Sequence, residues 1–138
     1  VDTARKLYRF MFHYFTETHQ LHNLIWVWNS MSVEGYVGDE YCDIISRDMY
    51  PPAHEHSDFG ERLEELRKLT DTAKGAAIGE IGVLPDPDEV EKNHTPWLWY
   101  MTWSHGFCLT EKFNTFEMLK KMYHHPVAVT LSKLPELY

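Results

Sequence analysis

A single carboxylate, Glu80, ends the small and apolar run Gly75-Ala76-Ala77-Ile78-Gly79 and is followed by Ile81 and Gly82. A run of that kind reads as a strand buried on both faces, with glycine where neighbouring groups approach closely. A charged group in such a setting costs several kcal/mol unless it is paired, hydrogen-bonded or carried at the strand's end. Glu80 is therefore expected at a mouth rather than in a core, and in a parallel barrel that mouth is the catalytic face. A strand-end glutamate that simply meets water is the plainer alternative, and the octapeptide alone leaves both open.

Other side chains capable of chemistry are scattered. The nine histidines include a local pair, His54-Glu55-His56, and the doublet His124-His125, but none forms HExxH. Cys42 and Cys108 match no zinc spacing and are too few for a disulfide framework, so both are expected as buried thiols. There is neither a GxGxxG nor a P-loop, and no metal or cofactor is expected. The triplet Asn93-His94-Thr95 fits a glycosylation sequon, but Pro96 follows directly and the pattern is common by chance.

The elements that must position Glu80 follow from periodicity. Apolar residues at Leu7, Phe10, Met11, Tyr14 and Phe15 form the stripe of an amphipathic helix over residues 3–19, with Arg5, Lys6, Arg9 and His13 on its other face. Residues 24–30 and 43–50 are β-branched and aromatic runs, the second closed by Pro51-Pro52. Asp58 is a good N-cap for a helix whose stripe is Phe59, Leu63, Leu66 and Leu69. After the Glu80 strand, Pro85-Asp86-Pro87-Asp88 starts a turn or short helix. Residues 97–104 make a fourth strand, and residues 113–123 a last helix with Phe116, Leu119 and Met122 on one side.

Helices alternating with buried strands indicate βα units and a parallel sheet. Four such strands amount to about half of an eight-stranded barrel, which needs roughly 250 residues, and this chain has 138. A smaller open α/β sheet is the structural alternative. A formal net charge of -8 argues against nucleic acid or an anionic membrane as partner. No stretch approaches the roughly 18–20 apolar residues of a membrane span.

If the strands run the same way, one rim carries Trp28 and Asn29, then Asp48 and Tyr50, then Glu80, then Trp103, Ser104 and His105. Carboxylate, phenol and indole together suit a sugar: indole faces match the C–H faces of a pyranose, and polar groups meet its hydroxyl edge. A phenol hydrogen bond from Tyr50 would favour the ionised form of Glu80 that a nucleophile requires. The competing reading is that the five tryptophans mostly fill the interior or the helix interface. That reading is preferred for Trp26, Trp97 and Trp99, and a ligand role for Trp103.

The segments NLIWVWNS at residues 23–30, Gly38-Asp39-Glu40-Tyr41-Cys42-Asp43 leading into Asp48-Met49-Tyr50, Gly79-Glu80-Ile81-Gly82 with Pro85-Asp86-Pro87, and Trp99-Tyr100-Met101-Thr102-Trp103-Ser104 resemble, in order, the second half of glycoside hydrolase family 26. That family is chiefly β-mannanases on a (β/α)8 barrel. The resemblance implies that residues 1–138 are the C-terminal half of a TIM (β/α)8 barrel, strands five to eight, with Glu80 as catalytic nucleophile at the end of the seventh. It implies that Tyr50 hydrogen-bonds the nucleophile and that Trp103 is the platform beneath the sugar. Trp28, Asn29, Asp48 and His105 are carried with them as substrate-binding or supporting positions. Where many members place an arginine beyond the last tryptophan, this chain has Ser104-His105, so glucan and xylan stay open beside mannan.

A retaining glycosidase needs a second carboxyl group about 5–5.5 Å from the first. The family's general acid is a glutamate on the fourth strand, whereas Val1 falls in the helix after it, so the acid is expected from outside this chain. Glu40 and Asp48 are the other acids expected near the rim, and neither resembles the acid's motif. The expected partners are a polysaccharide or oligosaccharide and the N-terminal half of the barrel, in the same or another chain. A secreted or periplasmic location follows only from the polymeric substrate that the family implies. A reading from another class is a non-catalytic carbohydrate-binding or structural half-barrel module.

Overall fold

Four strands, β1 (Val27–Ser30), β2 (Ile44–Met49), β3 (Gly75–Ile81) and β4 (Trp97–Thr102), lie side by side in chain order, and every adjacent pair is parallel. The computed structural model describes residues 1–136. Helices α2 (Gly60–Arg67) and α3 (Pro87–Asn93) lie in the second and third crossovers, and α4 (Phe116–His124) follows β4. The first crossover contains only two short 3-10 turns. Parallel pairing with sequential order brings the C-terminal tips of all four strands to one rim. No helix among the described residues is long and apolar enough to cross a membrane.

Alternation along the strands divides two faces. Trp28, Ile45, Ala76 and Trp97 are register partners across the whole sheet and form one row. This row meets Leu63 and Leu66 of α2, with Val37 and Cys42 from the first crossover closing its end. Burying side chains such as Ile45, Leu66, Ile78 and Ile81 contributes about 1.5–3 kcal/mol each. A second cluster of Leu84, Leu119 and Met122 holds α4 against the segment after β3. The opposite face carries a polar chain in which Asn29 Nδ2 donates to Asp48 Oδ1 at 2.7 Å and Ser46 Oγ donates to Asn29 Oδ1.

Trp28 is therefore not a rim residue. It is only 4% exposed, belongs to the helix-facing row and meets Tyr36 edge-on with ring centroids 5.2 Å apart. Its residue type invited a sugar contact, but pairing register and alternation put it in line with Ile45 and Ala76, which turns the indole toward the helices.

The first helix, α1 (Asp2–His13), ends in a π turn at Tyr14–Thr18 and presents the face opposite to the one its apolar stripe implies. Leu7 and Phe10 are 57% and 62% exposed. The docking is done by Tyr8 and Phe12 against Trp26, while Arg9 donates from Nε to the Val37 carbonyl at 2.8 Å and lies 4.7 Å over the Tyr41 ring. Arginine can do this because its stem is apolar and only its head needs polar partners.

Asp58 caps α2 one residue further out than expected. Its Oδ1 accepts from the Gly60 N–H at 3.0 Å, and Phe59 holds the cap position in the left-handed region at φ 52°. The proline-rich segment forms α3, with Asp86 accepting from the Asp88 N–H at 3.0 Å. Thr115 caps α4 by accepting from the Met118 N–H at 3.0 Å, and Phe116, expected on the packed side, is exposed. Cys42 is buried, whereas Cys108 is only half-buried, its thiol donating to the Trp103 carbonyl at 3.3 Å.

Candidate active site

The strand carrying Glu80 is irregular at that point. Along β2, Arg47 and Asp48 are consecutive, but their partners on β3 are Ile78 and Glu80, so β3 holds one extra residue at Gly79. Such a bulge locally breaks the pleat and re-aims a side chain. Ile78 and Ile81 both remain in the helix-side core, while Glu80 pairs in register with Asp48, whose carboxylate lies on the opposite face.

Gly79 makes the bulge possible. A Cβ there would lie 2.1 Å from Asn29 Oδ1 and 2.9 Å from Asp48 Oδ1. The space a side chain would need is filled by the polar chain that crosses β1 and β2, so the position requires glycine for close approach rather than for its dihedral freedom.

Tyr50 directly follows β2, and Trp103 directly follows β4. Their side chains converge on one atom: the Tyr50 hydroxyl donates to Glu80 Oε2 at 2.6 Å, and Trp103 Nε1 donates to the same oxygen at 3.0 Å. Trp103 Nε1 also lies 2.9 Å from the Tyr50 hydroxyl, closing a triangle. Both donors fall on Oε2, so Oε1 takes no part in the triangle. The hydrogen bond from Tyr50, and next the one from Trp103, hold the Glu80 carboxyl below its ordinary pKa. The same bond raises the Tyr50 hydroxyl above its ordinary value, since losing its proton would leave two anions in contact. Tyr50 and Trp103 are 45% and 48% exposed, so the phenol and indole remain open to a ligand from the solvent side.

The remaining expected positions divide. Asn29 and Asp48 form the polar chain beside Gly79, two strands and one strand from Glu80 respectively. His105 is exposed, two residues beyond Trp103, with its backbone in the left-handed region at φ 55°. Glu40 is not at this rim. It lies in the turn before β2, and its neighbour Asp39 accepts from the backbone N–H groups of Asp71 and Thr72 ahead of β3, at the opposite end of the strands. Among the described residues, no group of three or more His, Cys, Asp and Glu side chains is arranged to hold a metal ion.

One residue went unread in the sequence. Asn114 is 0% exposed and links the segments that follow β3 and β4, accepting from the Leu84 N–H at 2.7 Å and donating to the carbonyls of Gly82 at 2.9 Å and Phe107 at 2.8 Å. Its only sequence signal is an asparagine next to a helix cap, which fits a surface turn equally well.

Residues 1–133 match the model of the family described as Glycosyl hydrolase family 26. A mannan endo-1,4-beta-mannosidase of Thermothelomyces thermophilus is 33% identical over 133 residues, covering 96% of this chain and 27% of that protein. Mannan endo-1,4-beta-mannosidase B of a Piromyces species is 26% identical, over 96% of this chain and 23% of its own length. Among solved structures, the Podospora anserina GH26-CBM35 beta-(1,4)-mannanase superposes with a TM-score of 0.78 at 30% identity, over 94% of this chain and 29% of that one. A beta-mannanase from a symbiotic protist of the termite Reticulitermes speratus, solved with a gluco-manno-oligosaccharide, also gives 0.78, at 27% identity over 97% of this chain and 42% of its own. The chain thus spans about a quarter of the length of the curated relatives it matches. Its four-stranded parallel sheet is the C-terminal half, strands five to eight, of a TIM (β/α)8 barrel.

Proposed function

The chain belongs to glycosyl hydrolase family 26, and from that premise we propose that it carries the nucleophile half of a retaining, endo-acting glycosidase that cleaves β-1,4-mannan or a related β-glycan. In this reading Glu80 Oε1 attacks the anomeric carbon while Tyr50 and Trp103 hold Oε2. The bond from that carbon to the leaving sugar oxygen breaks as a general acid gives the oxygen its proton. A covalent glycosyl-Glu80 ester results. The former acid then takes a proton from water, the water oxygen attacks the same carbon, and Glu80 leaves as carboxylate. Two displacements on one carbon retain its configuration. The Trp103 indole forms the platform beneath the sugar, while Asn29, Asp48 and His105 supply nearby polar contacts.

The observation that carries this reading is the convergence of two donors on one oxygen of a carboxylate at the strand's tip. That arrangement favours the ionised form and fixes its direction, the two properties a carboxylate nucleophile needs. The general acid comes from the N-terminal half of the barrel, in the same or another chain. Support for such a neighbour lies on both flanks: the α1 stripe of Leu7, Phe10 and Met11 is exposed, and so are Leu98, Trp99 and Met101 on β4. Among the described residues β1 pairs only with β2 and β4 only with β3, so both sheet edges are open to pairing. A polymeric substrate favours a secreted or periplasmic location.

The test is Glu80→Ala in the complete barrel. Turnover on mannan should fall to near background while an oligosaccharide still binds, and retained turnover would remove Glu80 from the role.

A further inference from the structure

The three side chains of the Glu80 triangle stand on three different strand-end segments, each tied to the same pair of residues, Phe113 and Asn114. The segment after β3 is held through Gly82 and Leu84, both bonded to the Asn114 amide. The segment after β4 is held through the Phe107 carbonyl, which accepts from Asn114 Nδ2, and through the Phe107 ring stacked on Phe113 with centroids 4.5 Å apart. The segment after β2 is held through the His54 N–H, which donates to the Phe113 carbonyl at 3.0 Å.

These ties lie close behind the triangle. Gly82 is two residues beyond Glu80, and Phe107 four beyond Trp103. A Cβ on Gly82 would lie 3.0 Å from the Phe107 ring and 3.2 Å from the Tyr50 ring, so the three pack with no space between them. All the amide's bonds go to backbone groups, and the side chain is completely enclosed. Buried polar groups so fully paired fix one arrangement of their surroundings, because any displacement leaves one of them without a partner.

We propose that Asn114 is a positioning residue for the reaction, one that sets where Glu80, Tyr50 and Trp103 stand relative to one another without touching the sugar. The inference rests on Glu80 being the nucleophile. Loosening the amide's hold lets the segments after β3 and β4 drift separately, which lengthens the two hydrogen bonds to Glu80 Oε2. A displacement of about 1 Å at a reacting group costs up to about 100-fold in rate. Weaker donation to the ionised carboxyl also raises its pKa, which moves the acid limb of the kcat/KM profile to higher pH.

The experiment compares Asn114→Asp and Asn114→Ser with the parent in the complete barrel, assayed on mannan well below the melting temperature of each. Asn114→Asp keeps the acceptor for Leu84 and turns an oxygen toward the Gly82 and Phe107 carbonyls; Asn114→Ser keeps one hydroxyl. Both should lose about 10- to 100-fold in kcat and show an acid limb at higher pH, with the serine variant the milder. A folded variant with the parent's kcat and acid limb overturns the inference even if its melting temperature falls, since that would be a purely structural role. If neither folds, Asn114→Gln decides: it keeps the amide but sets it one methylene away from the groups at Gly82, Leu84 and Phe107, and a folded variant with an unmoved acid limb overturns the inference. Glu80→Ala run alongside separates the two failures, because turnover retained there ends the nucleophile assignment, whereas turnover lost there with unmoved Asn114 variants ends only this one.

Discussion

Replacing Gly79 with alanine adds one methyl group where the structure has no place for it. The new Cβ would stand 2.1 Å from Asn29 Oδ1, where contacts shorter than 3.0 Å essentially never occur. Asn29 must therefore swing away, giving up its 2.7 Å bond to Asp48 and the bond it accepts from Ser46. Two hydrogen bonds at about 1 kcal/mol each put the cost at about 2 kcal/mol, within the usual range for overpacking. For a complete barrel of about 250 residues that is a melting temperature lower by roughly 4–8 °C. Since the substituted residue immediately precedes Glu80, kcat should also fall, by about 10- to 100-fold. Thermal unfolding and mannan hydrolysis of Gly79→Ala, Asn29→Ala and the double variant form a cycle. In the Asn29→Ala background the obstructing oxygen is gone, so the added methyl should cost less than half as much stability. Equal cost in both backgrounds, or no cost in either, would refute the packing argument.

Two further outcomes follow from the hydrogen bonds at the rim and at the start of α2. Tyr50→Phe removes the stronger donor from Glu80 Oε2 and leaves Trp103 in place, so the Glu80 pKa rises toward its ordinary value and the acid limb of kcat/KM moves to higher pH; a pH-rate profile superimposable on the parent's would show that Tyr50 does not govern the ionisation. Asp58→Ala should destabilise the barrel by about 1–3 kcal/mol near neutral pH, because the carboxylate accepts from Gly60 N, Asn93 Nδ2 and Thr95 Oγ1, and Thr95 is buried. Burial pushes the Asp58 carboxyl up, but those three donors outweigh it and leave its pKa lowered. Its stabilisation is thus present above the unfolded value near 4 and lost as pH falls through the folded one, so chemical denaturation of parent and variant should converge in acid.

Much of the sheet was legible because its signals are local. Pro51-Pro52 closes β2, small residues fill β3, and the apolar runs stand clear of the polar segments between them. Strand ends were less so: β1 spans only Val27–Ser30 of the run from residue 24, and which way Trp28 points follows from its register with Ile45, which residue type does not carry. The docked face of α1 was not legible, because a pattern of apolar residues says which surface is apolar, not which one finds a neighbour within the chain. Glu80, Tyr50 and Trp103 could be placed at one rim from strand order alone, but the bulge that aims Glu80 depends on a register counted between strands. Asn114 was invisible for a related reason. Its partners are main-chain groups at residues 82, 84 and 107, and main-chain groups leave no trace in residue type.

The extra residue in β3 also governs how Glu80 can travel. Ile81, immediately beyond it, is registered with Met49 on one side and Thr102 on the other, so the main chain is clamped between two neighbours just past the carboxylate. In the proposed reaction, any advance of the carboxylate toward the anomeric carbon, and any recoil afterwards, falls to rotation about the side chain's own torsions. On that reading the stroke is short, and the clamped main chain returns the carboxylate to one resting direction.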